Sequence, residues 1–274
     1  MRIHVDAARW SALPDLHELF AHRDLFLTLA IRDLKVRYAQ TVLGLAWAVV
    51  QPLATLVILS LIFGRAVNVS TGDVPYPLFA IAGISVWSYF AFVLKESGGS
   101  VIGAQEIVRK IWFPRLIIPL SKAAVGIVDL LVALLMVVVL LAWYGVVPGP
   151  QALYAPLYLL AIILIALGLG IWISALTIRF RDLQHVVPFI IQFGLFATPV
   201  AYPCSIITES LPKWVQVLYF LNPMAGAVEG WRWSLLGVGD PGGLCWLSLG
   251  SGLVIFITSL LGFRSVERVV ADLV

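Results

Sequence analysis

Long runs without charge alternate with short polar stretches along this chain, and the lengths of those runs set its architecture. Residues 41–63, TVLGLAWAVVQPLATLVILSLIF, carry no formal charge over twenty-three positions and follow the basic cluster Arg32, Lys35, Arg37. At about 1.5 Å of rise per residue, a helix of that length crosses the roughly 30 Å hydrocarbon core of a bilayer. Hydrocarbon offers no partner to a free backbone N–H or C=O, so every further run of this kind is expected to be helical as well. The pattern predicts six spans, over 41–63, 75–93, 117–143, 152–177, 186–202 and 244–263. Gln51-Pro52 interrupts the hydrogen-bond ladder of the first, and a kink is expected there.

The segments between the spans have patterns of their own. Residues 1–40 form a mixed N-terminal segment in which Leu13, Leu16, Leu19 and Phe20 recur at helical spacing, with Asp15, Glu18 and Arg23 between them. That suits a helix over 13–23 lying in the headgroup region or packed on other protein, with Pro14 in its first turn. Residues 96–115, ESGGSVIGAQEIVRKIWFPR, are too polar to span. Val101, Ala104, Val108, Ile111 and Trp112 share a face from which Gln105, Glu106, Arg109 and Lys110 are excluded, predicting a surface helix over 100–112. Between 211 and 236, two apolar pieces too short to cross flank Asn222-Pro223 and read as re-entrant or interfacial helices. A charged tail, 265–274, follows the membrane domain 41–264.

Composition agrees with the pattern. The chain is 61% hydrophobic and 12% charged with a mean hydropathy of +0.99, which excludes a soluble globule of 274 residues. The net charge of +3 does not suggest nucleic acid as a partner. Six spans put both termini on one side. Fourteen Lys and Arg residues fall on that side and three, Arg65, Lys213 and Arg232, on the other, with Lys122 inside the third span. Both termini are therefore expected in the cytoplasm. The first forty residues lack an apolar core with a small-residue cleavage site, so the first span is expected to direct insertion. Cys204 and Cys245 have no metal or redox spacing and read as free apolar thiols, although both fall near the outer face where a disulfide is chemically open to them.

Candidate chemistry is sparse. There is no GxxxxGK[ST] phosphate loop, no HExxH pair and no GxSxG elbow, so the chain is expected to draw on an ion gradient or on another subunit for energy. Asp129 is the one ionisable group near the middle of a span. It is expected to be hydrogen-bonded to a neighbouring span, protonated, or functional, and Lys122, about 10 Å away along the helix, to reach the near face of the bilayer instead of meeting it. Phe189, Phe193 and Phe196 stand at i, i+4 and i+7 on the fifth span; Trp47 and Gln51 share a face of the first, and Trp87 and Phe90 of the second. Such rings suit the C–H faces of sugars, and any one of them also suits a lipid-facing or core position.

Four stretches in order, RDLKVRYAQTVLGLAWAVVQPL (32–53), RFRDLQHVVP (179–188), FATPVAYP (196–203) and LNPMAGAVEGWRWSLLG (221–237), resemble the transmembrane subunit of bacterial ATP-binding-cassette polysaccharide exporters. Thr198 stands where a serine is expected before the proline. The resemblance covers nearly the whole chain. It implies an all-α inner-membrane permease, homodimeric, with two separate ATPase subunits that hold ATP and magnesium, no cofactor in this chain, and an undecaprenyl-pyrophosphate-linked glycan as substrate. It further implies that 13–23 is an interface helix, that 100–112 with Gln105, Glu106 and Arg109 couples to the ATPase, and that 211–236 forms periplasmic gate helices with Pro212, Trp214, Asn222, Pro223, Glu229 and Arg232. The channel on the dimer axis is then expected to be lined by Trp47, Gln51, Trp87, Phe90, Phe189, Phe193 and Phe196. Arg32, Lys35 and Arg37 either fix orientation against anionic lipid or bind the carrier pyrophosphate at the cytoplasmic entrance. Three other readings are a small-molecule exporter on the same scaffold, a gated channel, which needs no coupling helix, and a membrane enzyme acting on polyprenyl lipids. The last requires clustered interfacial carboxylates or histidines, and His4, His17, His22 and His185 form no such cluster.

Overall fold

The computed structural model describes residues 16–39, 41, 43–239 and 241–273, of which Leu16 and 264–273 are described as backbone alone. The described residues form helices and connecting turns, with no strand among them. The N-terminal segment folds as α1 (Leu16–Ala21) and α2 (Arg23–Tyr38). The expected interface helix over 13–23 therefore coincides with α1 only in part, and Leu13, Pro14 and Asp15 lie outside the described residues. The main element here is the sixteen-residue α2, which carries the whole basic run.

Among the described residues, five helical stretches are long and apolar enough to cross a membrane: Gly44–Ala66, Tyr76–Gly98, Ile117–Tyr144, Pro150–Arg179 and Gly243–Phe263. The first is composite, a 3-10 turn (Gly44–Ala46), α3 (Trp47–Leu59) and a π-helical end, Ser60–Ala66. Pro52 removes the N–H that would bond the Ala48 carbonyl, yet α3 runs through it, and the change of helix type comes only at Ser60. The others contain α4 (Tyr76–Gly98), α7 (Ile117–Tyr144), α8 (Ala155–Arg179) and α13 (Gly243–Leu273). Between α4 and α7 the expected surface helix is split at Ala104 into α5 (Ser100–Gly103) and α6 (Gln105–Lys110).

The fifth expected span is shorter than its hydropathy suggests. α9 (Leu183–Ala197) has fifteen residues, about 22 Å of helix. It stops because Thr198 precedes Pro199, whose ring disfavours helical geometry at the residue before it, and Thr198 is extended at φ −114°, ψ 144°. The chain then makes three short helices, α10 (Ser205–Ser210), α11 (Lys213–Phe220) and α12 (Pro223–Leu236). α12 has both of its ends specified. The Asn222 side chain caps it by accepting the Met224 N–H, Pro223 occupies the first turn, and Gly237 closes it at φ +69°, where a side chain would be strained.

α4 is the centre of the bundle. Its apolar stretch is 78% buried, against 22% for those of the first and last spans, and it touches α3, α7, α8, α9 and α12. α13 lies against α8, α11 and α12. α12 approaches it through Gly226, where a Cβ would fall 2.8 Å from the Cys245 Cα. Such backbone-to-backbone contact is the usual way for helices to gain dispersion energy where lipid gives no hydrophobic drive.

Candidate functional site

Alternation of the long helices gives the bundle two ends, one bearing α2, α5 and α6, the other α10, α11 and α12. At the first end α2 is held to α7 by a ladder of opposite charges. Asp33 and Arg37 lie one turn apart on α2, and Lys122 and Asp129 two turns apart on α7. Lys122 Nζ is 2.9 Å from Asp33 Oδ2 and Arg37 Nη2 is 2.6 Å from Asp129 Oδ2. Arg32 adds a second hydrogen bond to Asp33, at 2.9 Å, and the Tyr38 hydroxyl donates to Asp129. Asp129 thus has partners supplied by α2, and Lys122 pairs outside the span and not with Asp129. Burial alone would raise the Asp33 carboxyl, but the Lys122 and Arg32 hydrogen bonds outweigh it and hold it below the usual 3.8. Burial and the hydrogen bond to Asp129 push Tyr38 up to about 12, so its hydroxyl stays a donor at neutral pH. The Arg37 guanidinium also lies 4.3 Å from the centre of the Phe92 ring.

Beside this ladder opens a cleft of about 560 Å³ between α2, α3, α4 and α7. Trp47, Gln51 and Thr55 of α3 form one wall, Ser88, Tyr89, Lys95 and Glu96 of α4 another, and Arg37, Tyr38 and Asp129 close the end. A second cavity of about 270 Å³, lined by Arg32, Asp33, Lys122 and residues of α5, shares Lys95 and Glu96 with it. The two volumes meet at the last turn of α4. Trp47 is 43% exposed, so its ring is open for stacking.

The remaining aromatic residues divide. Phe189, Phe193 and Phe196 of α9 are exposed along one helix face, as their spacing requires. Trp87 and Phe90 are core residues, each 5% exposed, with ring centres 5.0 Å apart. Trp87 packs on Gly194 of α9, where a Cβ would meet its ring at 2.9 Å, so in this conformation neither presents a ring to a channel.

At the other end, three side chains grip the extended segment after α9. Asn222 Nδ2 donates to the Ala197 carbonyl (3.2 Å) and to Thr198 Oγ1 (2.9 Å), so the threonine hydroxyl in FATPV is used. Tyr76 donates to the Ala201 carbonyl at 2.8 Å. Arg232, fully buried, donates to the carbonyls of Pro199 and Tyr202, stacks 3.9 Å from the centre of the Phe79 ring, and lies 3.5 Å from Glu229 Oε2. Buried charge survives only when so compensated. Pro212 precedes α11, and Trp214 on it is 68% exposed. A cavity of about 630 Å³ beside α12 is lined by Glu229, Glu209, Cys204 and Cys245; both thiols are buried and neither is in a disulfide. On α6, Glu106 and Lys110 form an exposed pair at 3.5 Å, and Arg109 is exposed next to it, while Gln105 is half-buried.

Reasoning from the sequence missed the partners of Asp129 and Lys122 and the Glu229–Arg232 pair. A charge inside an apolar run announces that it has a partner, but nothing local says which one.

Comparison with known proteins gives a consistent set. The family described as "ABC-2 type transporter" matches residues 24–236. The chain is 32% identical over 210 residues to an "O-antigen export system permease protein RfbA" of Klebsiella pneumoniae, covering 76% of this chain and 79% of that one. A protein of the same description from Myxococcus xanthus is 27% identical over 217 residues, 79% of this chain and 82% of that one. A "Polysialic acid transport protein KpsM" of Escherichia coli is 26% identical over 208 residues, 73% and 77% of the two chains.

Proposed function

Since the chain belongs to the ABC-2 type transporter membrane family, we propose that it is the permease subunit of a bacterial cassette exporter that carries a lipid-linked polysaccharide, of the O-antigen kind, across the inner membrane. The observation that carries this reading is the similarity to O-antigen export permeases over three quarters of the chain. The exposed ring face of α9 and the Trp47 cleft supply the chemistry: aromatic faces hold sugar rings while allowing them to slide, which a fixed set of hydrogen bonds would not.

In this reading α9 and the segment 198–204 together make the sixth crossing, and both termini, α2, α5 and α6 face the cytoplasm, as the distribution of basic residues favours. Two copies pack around a channel lined by the exposed faces of α3 and α9, and two ATPase subunits dock on α5 and α6. The exposed Glu106, Arg109 and Lys110 offer that docking surface a set of charges not needed for folding. α11 and α12 gate the outer end. Their attachment to the end of α9 through Asn222 and Arg232 gives a direct linkage between channel wall and gate. The basic run Arg32, Lys35 and Arg37 lies at the cytoplasmic entrance beside the cleft.

The test is deletion and complementation in the native bacterium. Loss of this chain should leave lipid-linked glycan inside the inner membrane and remove it from the surface, and plasmid expression with the neighbouring ATPase should restore it. An unchanged surface glycan would refute the assignment.

A further inference from the structure

At the entrance, the charges of the ladder between α2 and α7 are already in use. Arg32 and Lys122 both hold Asp33, and Arg37 holds Asp129. Lys95 and Glu96 are different. They line both the 560 Å³ cleft and the 270 Å³ cavity, at the point where the two meet. Among the described residues neither has an ion pair or a side-chain hydrogen bond, with each other or with anything else. Consecutive residues on a helix project about 100° apart, so an ammonium and a carboxylate placed in this way address two different groups of one ligand instead of cancelling.

A ligand matched to that arrangement carries an anion and, within a few ångströms, hydroxyl donors. A phosphate accepts from an ammonium, a carboxylate accepts from sugar hydroxyls, and the exposed Trp47 ring in the same cleft fits the sugar's C–H face. We propose that Lys95 and Glu96 are a recognition pair for a glycosyl phosphate, Lys95 taking the phosphate and Glu96 the hydroxyls of the sugar attached to it. The pair reads the junction between carrier and glycan and not the polymer beyond it. This rests on the lipid-linked reading of the substrate, and it moves the anion contact from the committed arginines of α2 to the end of α4. A purely structural role for Lys95, complementing the C-terminal end of the α4 dipole, calls for a positive charge but for no ligand.

The experiment uses the permease together with its ATPase in phosphatidylcholine nanodiscs, with protein-free discs as blank. Three probes are titrated: neryl pyrophosphoryl-N-acetylglucosamine, neryl pyrophosphate, which lacks the sugar, and glucose 1-phosphate, which lacks the lipid. Lys95→Gln should bind both neryl probes about tenfold more weakly, the loss of one charge-assisted contact, and Lys95→Arg should restore most of that binding. Glu96→Gln should weaken the sugar-bearing probe alone. Circular dichroism and thermal unfolding of each variant should match the parent, since among the described residues neither side chain makes an ion pair or a side-chain hydrogen bond within the fold. The proposal is overturned if Lys95→Gln binds the neryl probes like the parent, or if Glu96→Gln affects both neryl probes alike. A parent that binds none of the probes refutes the lipid-linked reading and this inference with it. A parent that prefers glucose 1-phosphate refutes the lipid-linked reading alone.

Discussion

Asn at position 129 is the sharpest probe of how α2 is held. Asp129→Asn keeps the shape of the side chain and one acceptor but removes the charge that Arg37 and Tyr38 share. Breaking a fully buried pair costs about 3–5 kcal/mol, and an exposed pair is worth roughly 0–1 kcal/mol. Here the two side chains are 32% and 16% exposed, so the cost falls between those limits, at about 2 kcal/mol. That corresponds to roughly a thirtyfold rise in the population with α2 detached. Amide hydrogen exchange over α2, which has polar surface accessible to water, measures this population directly. Arg37→Gln should produce a similar rise, because it leaves the carboxylate within α7 without its charge partner and with only the Tyr38 hydroxyl. The double variant should lie well below the sum of the two, since the second change removes a group that has already lost its partner. Asp33→Asn acts at Lys122, about 10 Å away along α7, and should add independently. Exchange over α2 within twofold of the parent in Asp129→Asn, or strict additivity of the Arg37 and Asp129 changes, would refute this account.

The same docking should depend on acid. The Asp33 carboxyl sits below its ordinary 3.8, so its stabilisation is complete above that value and is lost as pH falls through the depressed one. Pepsin should therefore leave Phe26 protected at pH 4.5 and reach it well below pH 3.8, and Asp33→Asn should be susceptible at both. Arg232→Met removes the cationic partner of Glu229 and the donor to the Pro199 and Tyr202 carbonyls in the interior and should destabilise by about 3–5 kcal/mol, seen as a lower thermal midpoint in detergent; changing Glu229 to Gln in the same chain should recover part of it. Glu106→Arg alters a pair whose members are 81% and 75% exposed, so stability should change by less than about 0.5 kcal/mol while ATP turnover and export fall together. With Cys204 and Cys245 replaced, an impermeant thiol reagent added outside should label a cysteine at Val147, which is 87% exposed, and miss one at Gly103; the reverse pattern would invert the topology.

Hydropathy alone placed the long helices, because a charge-free run of some twenty residues has no other stable use and its length is fixed by the bilayer. It also placed the half-length helices around Asn222-Pro223, and the i, i+4, i+7 spacing put Phe189, Phe193 and Phe196 on one face. The sixteen-residue α2 escaped notice because its charges are spread around the helix and leave no apolar stripe. Four further matters were decided only by the fold. α4 is the buried hub and α3 lies in a peripheral span, though the peripheral span is the more apolar of the two, and Trp87 and Phe90 turn inward while Trp47 faces a cleft. The extended segment after α9, whose start Thr198-Pro199 sets locally, is gripped by Asn222 and Arg232 from a later stretch of chain. Asp129 belongs with Arg37 and Lys122 with Asp33, pairings across about ninety residues of chain. The physical reason is common to all four. Lipid and protein interior are alike in polarity, so the pattern that drives a residue out of water cannot say which of the two receives it. A buried charge fixes the need for a partner and leaves the choice to whichever helix the packing brings near.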